Sequence, residues 1–332
     1  MRRIPVAVAL AAVVTVATVL TGCATVPPPT GTGWIAALPA GCTAYFFADL
    51  KEENRGAARA ILDAATEPGL VSDRVMENTD RIYGAVKTIQ GNAAPAHAAA
   101  PTGAPPDFYA VVEGSFPGVP IRYFLSRMDG WTMAERPRVH WIGPDGTPQL
   151  CFPSGQAALL TSGDIRPMIE RYDALTGRAG GPETTASSSR ARVDWTRRPV
   201  IPEVVIEAMA HDELVAYFPD LGGALATGAV RASLPVDRSW IRAQSAAGTA
   251  GGYTLSGVFE LADQRAASGF SGLLRLMLVY ILREAEVDGF LGRLMGLELT
   301  RRGTTVGVRG LELSAEELAR VVGVLLGREA AR

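Results

Sequence analysis

Apolar and polar positions alternate with two distinct periods along this chain, after an opening of a different kind. Behind the cations Arg2 and Arg3, residues 5–20 carry no charge at all. Further on, Thr43-Ala44-Tyr45-Phe46-Phe47 is an aromatic run that predicts a buried strand within residues 42–50. Alanine-rich residues 52–66 predict a helix. So do residues 73–89, where Val75, Met76, Ile82, Tyr83, Val86 and Ile89 recur at a three-to-four spacing. Short apolar runs at 108–114, 121–128, 139–142, 150–152 and 157–161 predict strands. Turn chemistry such as Phe116-Pro117-Gly118 and Pro144-Asp145-Gly146 separates them, and Asp164 is expected to cap a helix reaching Tyr172.

Residues 91–106 and 174–198 hold few large aliphatic side chains and read as exposed loops, because burial there cannot offset the entropy of ordering. Beyond the second loop the pattern predicts a helix at 202–210, strands at 214–218, 229–234 and 253–261, a long helix at 268–285 and a strand at 304–311. A last helix opens on the capping box Ser314 and Glu317 and buries Leu318, Val321, Val322, Leu325 and Leu326. The fold class expected is α+β, an antiparallel sheet packed by helices. The halves look related. Ala44-Tyr45-Phe46-Phe47-Ala48-Asp49-Leu50 resembles Ala216-Tyr217-Phe218-Pro219-Asp220-Leu221, the run from Asp107 to Phe116 resembles that from Gly252 to Glu260, and each half ends in strand, turn and helix.

The opening carries more specific information. An uncharged stretch from Pro5 to Leu20 is short for a bilayer-spanning helix, which needs about 20 residues, and it suits a processed export signal. It ends in Leu20-Thr21-Gly22-Cys23, which resembles the lipobox of bacterial lipoproteins. That resemblance implies removal of residues 1–22, diacylglyceryl and palmitate attachment at Cys23, and a body held outside the cytoplasm on the cell envelope. Each buried acyl methylene contributes about 0.8 kcal/mol, so several chains anchor durably. Ala24 stands where an aspartate would signal inner-membrane retention in such proteins, so in a host with two membranes the resemblance implies the outer one. Residues 23–40, with Pro27-Pro28-Pro29 followed by Gly31 and Gly33, read as a tether. Trp34 in this stretch is a candidate either for the headgroup interface or for packing on the body. The body then divides into 41–173, a linker at 174–200, and 201–330.

Composition narrows the partners. The chain is 48% hydrophobic, enough for one large or two modest cores. It has 32 basic against 34 acidic residues, so removing Arg2 and Arg3 leaves a formal charge of −4 and no basic field for nucleic acid. Besides Cys23 there are two cysteines, Cys42 and Cys151, which outside the cytoplasm are a candidate disulfide; the alternative is two buried thiols. His97, His140 and His211 lack metal-ligand spacing, and no metal or cofactor is expected.

Catalytic motifs are weak. Gly269-Phe270-Ser271-Gly272 lacks a nucleophile elbow's second glycine, because Leu273 stands in its place. The surroundings of Lys51 and Lys87, the only lysines, match no phosphate loop and no Ser-x-x-Lys enzyme. His211-Asp212-Glu213 reads as a solvated turn, His140 as a strand residue, and Glu284, Glu286 and Asp288 as a charged helix end. Leu276-Met277-Leu278-Val279-Tyr280-Ile281-Leu282 is apolar on every side, which predicts a helix buried between layers; the sharper reading is that it lines a cavity for an acyl chain. The functional expectation is therefore a non-catalytic envelope lipoprotein that binds or scaffolds another envelope component, either an envelope protein or a lipid ligand. The alternatives are a carrier or sensor of a lipid-like ligand and a hydrolase with an unfamiliar site.

Overall fold

The computed structural model describes residues 31–50, 78–87, 107–116, 125–177, 194–221, 236–246 and 252–325, apart from the side chains of 322, 323 and 325. The chain forms two compact units. One comprises residues 1–45 and 72–200, the other 46–71 and 201–332.

In the first unit, strands β2 (Thr79–Lys87), β3 (Asp107–Gly114), β7 (Ala157–Thr161), β6 (Gln149–Ser154), β5 (His140–Ile142) and β4 (Thr132–Ala134) lie side by side in that order, with the start of β1 (Ala44–Asp49) beside β2. The pairings from β2 to β4 are antiparallel. Helix α1 (Arg166–Leu175) follows β7 and buries Met168, Ile169 and Tyr172. In the second unit the order is β8 (Leu214–Phe218), β9 (Val236–Ser245), β10 (Gly252–Leu261), β12 (Thr305–Ser314) and β11 (Glu298–Arg302), again antiparallel. Its helices are α2 (Glu203–His211), α3 (Gln264–Glu284), α4 (Phe290–Met295) and α5 (Ala315–Leu325).

The two units share one topology. In each, the third strand pairs with the last strand rather than the next one, so β3 meets β7 and β10 meets β12. The penultimate strand, β6 or β11, sits outside that pair, and the last strand runs into a helix, α1 or α5. Thus β8 occupies the place in its unit that β1 opens in the other, in line with their similar aromatic sequences. The fold is α+β with an antiparallel sheet packed by helices, as the apolar pattern predicts.

Several local expectations are corrected. Within 73–89, residues 79–87 are not helical but form strand β2. Ile82, Tyr83 and Val86 are β-branched or aromatic, and their pairing with Val112, Val111 and Phe108 on β3 overrides a loose helical spacing. Arg81 and Glu113 face each other across the same pair at 3.8 Å. Gly114 is required there, since a Cβ would come within 2.0 Å of the Asn78 carbonyl oxygen. Residues 125–130 form turns, not the end of a strand. Strands β4, β9 and β11 and the short helix α4 were not foreseen. The expected helix at 52–66 and strand at 229–234 lie outside the described residues, as do most of both expected loops.

The expected tether is also shorter than its pattern suggested. Residues 31–37 form a 3-10 helix in the first unit. Trp34 is fully buried and stacks on Tyr172 with ring centroids 5.5 Å apart, which settles its placement on the body. Residues 23–30 of the tether, including Cys23, and the export signal lie outside the described residues.

Candidate functional site

The polar residues singled out by sequence do not converge. His140, on β5, is buried, and its Nδ1 lies 2.8 Å from the Arg138 carbonyl. Ser271, in α3, donates its hydroxyl to the Ser268 carbonyl at 3.0 Å within the same helix, so its proton is directed to a non-basic carbonyl and not to a general base. His211 ends α2 and is exposed. Asp212 and Glu213 lead into β8 and diverge from it. Asp212 is buried, accepts a hydrogen bond from the Gln244 amide and sits 3.6 Å from Arg242, while Glu213 accepts from the Ser245 hydroxyl at 2.9 Å. Both carboxylates thus join the end of α2 to β9. Among the described residues no group of three or more His, Cys, Asp or Glu could hold a metal ion.

Cys42 and Cys151 are free and buried, so in this structure the candidate disulfide between them is not formed and the alternative of two buried thiols holds. Each thiol has its own surroundings. Burial pushes Cys42 up to about 12, against the opposing pull of Lys87 and a hydrogen bond with Tyr45, whose hydroxyl is itself fixed on the Pro39 carbonyl at 2.9 Å. Burial likewise pushes Cys151 up to about 12 despite Arg138, and its thiol lies 3.5 Å from the Val139 carbonyl. Neither thiol is activated. Arg138 is committed elsewhere, to the Asp173 carboxylate through Nε at 2.9 Å.

The most distinctive surface belongs to the second unit. Helix α3 starts cleanly, with the Asp263 carboxylate accepting the Ala266 N–H at 2.7 Å. Its inner face is buried. Ala267, Phe270 and Leu274 pack with Phe259 and Val306, and Ile281 and Leu282 pack with Tyr253 and Leu311. The rings of Phe259 and Phe270 lie 5.2 Å apart. The C-terminal end is held by α5, where the Arg320 Nε donates to the Ala285 carbonyl at 2.8 Å.

Its outer face overturns the expectation of a helix buried on all sides. Leu273, Leu276 and Tyr280 recur at the three-and-four spacing that keeps residues on one helical face, and they are 40%, 68% and 52% exposed. Leu276 and Tyr280 therefore line no enclosed acyl cavity. Gly269 and Gly272 extend this face, and a Cβ on either would meet nothing within 4 Å. Helix α4, packed on α3, exposes Leu291 and Met295 at a spacing of four and buries none of its residues. The sequence signal was ambiguous because inner and outer stripes of α3 are both apolar, which cancels the period that normally marks a solvent face.

The fold defines an α+β protein built on antiparallel sheet, and no family model and no curated protein matches the chain. Solved structures that share the fold include crystal form III of TP0453, at 13% identity and TM-score 0.55 over 88% of this chain and 98% of that one; form I, at 14% and 0.56 over 88% and 97%; and form IV, at 14% and 0.56 over 90% and 97%. The likeness extends to the fold and no further.

Proposed function

We propose that this chain is a lipid-anchored protein of the cell envelope, held on the extracytoplasmic side through Cys23, with a non-catalytic role in binding or scaffolding another envelope component. The observation that carries this reading is the ordered sequence of Arg2 and Arg3, the uncharged stretch Pro5–Leu20, and Leu20-Thr21-Gly22-Cys23. It is supported by the occupation of the candidate catalytic groups in structural bonds: His140 at a backbone carbonyl, Ser271 within its own helix, Asp212 with Arg242 and Gln244.

Metabolic labelling with palmitate, followed by membrane fractionation, tests the anchor. The natural chain should take up label and sediment with membranes, and Cys23→Ser should abolish uptake; equal labelling of both would remove the reading. Crosslinking in native membranes then tests the role, which requires one reproducible protein partner rather than abundant bystanders.

A further inference from the structure

We propose that the free edge of β11 pairs with the same strand of a second copy of this chain, joining two molecules through an antiparallel seam with Thr300 on its two-fold axis. Such pairing needs no lipid anchor, only the folded second unit.

Strand β11 ends its row of strands and pairs only with β12 among the described residues. The turn Gly303-Thr304, with Gly303 at φ +60°, closes a tight hairpin, so Arg302 and Thr305 are its hydrogen-bonded pair. Bonding alternates from there. Thr300 and Glu298 also turn their backbone groups toward β12, which leaves the N–H and C=O of Leu299 and Arg301 facing outward with no partner among the described residues. Strand β4, at the edge of the first unit, is only 3 residues long and is followed closely by Pro137, which blunts that edge. Strand β11 has neither proline nor bulge.

Side chains select a second copy as the occupant. Leu299 packs on the core beneath α3, and Arg301 donates to the Ser268 hydroxyl of α3 at 2.8 Å, so Glu298, Thr300 and Arg302 stand on the other face of the sheet. Glu298 and Arg302 are exposed, opposite in charge and unpaired among the described residues. Turning a second β11 antiparallel about Thr300 sets Leu299 opposite Arg301 of the copy, which satisfies every outward backbone group. It also sets Glu298 opposite Arg302 of the copy, an ion pair on each side of the axis. Bonding and charge therefore agree in one register. Slipping by two residues keeps backbone bonds but sets Arg301 against itself in one direction and leaves Arg302 opposite Gly296 in the other. Slipping by one sets outward groups against inward ones. An unrelated strand of one charge can match Glu298 or Arg302, not both.

The test uses the mature chain from residue 23 with Cys23→Ser, so that no acyl group contributes. Sedimentation velocity from about 10 μM to 1 mM, a range suited to a small seam, should show a reversible dimer. Glu298→Arg and Arg302→Glu should each weaken it about tenfold or more, since like charges then face each other on both sides of the axis. Mixing the two variants, or combining both substitutions in one chain, should restore it. Both side chains are exposed, so circular dichroism of each variant should match the parent's. Thr300→Cys gives a second readout. Residues opposite each other without backbone bonds hold their Cα atoms about 4.5 Å apart, a span that a disulfide bridges, so mild oxidation should link Thr300→Cys copies and scarcely link Arg302→Cys copies. A monomer throughout the concentration range would overturn the proposal, as would a dimer indifferent to the charge reversals, or equal linkage at positions 300 and 302. None of these outcomes alters palmitate labelling at Cys23, so the anchor and the seam stand or fall separately.

Discussion

Arg293 of α4 grips Glu317 of α5 with both terminal nitrogens, Nη1 to Oε2 at 2.8 Å and Nη2 to Oε1 at 2.9 Å. The same carboxylate accepts the Ser314 N–H at 2.7 Å, completing the capping box, while the Ser314 hydroxyl accepts the Glu317 N–H at 3.2 Å. Nη1 of Arg293 also donates to the Glu312 carbonyl at 2.7 Å, so one guanidinium ties a helix without buried residues to the end of β12. Burial pushes the Glu317 carboxyl up, but Arg293 and the Ser314 bonds together outweigh it and hold the carboxyl below its ordinary range.

Because the folded chain releases this proton more readily than the unfolded one, the stabilisation is complete above the ordinary glutamate value near ~4.3 and is lost as pH falls through the lower folded value. Glu317→Ala should cost about 2 kcal/mol at neutral pH, from the lost cap and the lost ion pair. Glu317→Gln keeps the cap and should cost less. Urea titrations at pH 7 and in the acid range read both, and the difference between parent and Glu317→Ala should shrink in acid.

Arg171 of α1 is the corresponding fastener in the first unit. Nη1 donates to the carbonyls of Ala36 and Leu38, Nη2 to those of Trp195 and Arg197, and the guanidinium lies 5.1 Å over the Trp195 ring. Lysine cannot reproduce this planar fork, so Arg171→Lys should destabilise the unit by about 1 to 2 kcal/mol. Limited proteolysis of the variant should show earlier cleavage around residues 31–38 and 194–198.

The thiols offer a chemical check. With Cys42 and Cys151 both near 12, the folded Cys23→Ser chain should resist iodoacetamide at pH 8 and take up two equivalents only in denaturant. Mass spectrometry reads the difference, and a mass two hydrogens lighter would instead reveal the disulfide. Stability should also fall above about pH 9, because the unfolded thiols ionise there and the folded ones do not.

Gly272 is a weak point in α3, with open space where a Cβ would project. Gly272→Ala should stabilise the chain by about 0.5 to 1 kcal/mol, since alanine lowers the entropy cost of a helical backbone. Thermal unfolding should record a higher midpoint.

How much of this was legible in the sequence follows from how local each cause is. The capping box at Ser314 and Glu317 was readable because both partners lie within one turn. Strands β3, β5, β6, β7, β8 and β10 were close to their expected bounds because their apolar runs are short, bounded by turn residues and rich in β-branched or aromatic side chains. Asp164 was expected to cap the helix that reaches Tyr172; its carboxylate accepts the Arg166 N–H at 3.1 Å, but the N-cap of α1 is Ile165, one residue further on. Strand β2 was missed because β3 selects its extended form, and nothing within residues 79–87 encodes that partner.

Taken alone, the sequence determined what depends on neighbours along the chain: the lipobox resemblance ending at Cys23, the antiparallel α+β class and the resemblance between halves. The tertiary structure decided what depends on distant partners. Trp34 belongs to the body because Tyr172 stacks on it, Cys42 and Cys151 remain separate thiols, and Arg293 reaches Glu317. It also decided which face of α3 meets water. A helix apolar on both sides has no internal sign of its orientation, and only the strands packed beneath Phe270 and Leu282 leave Leu276 and Tyr280 outside.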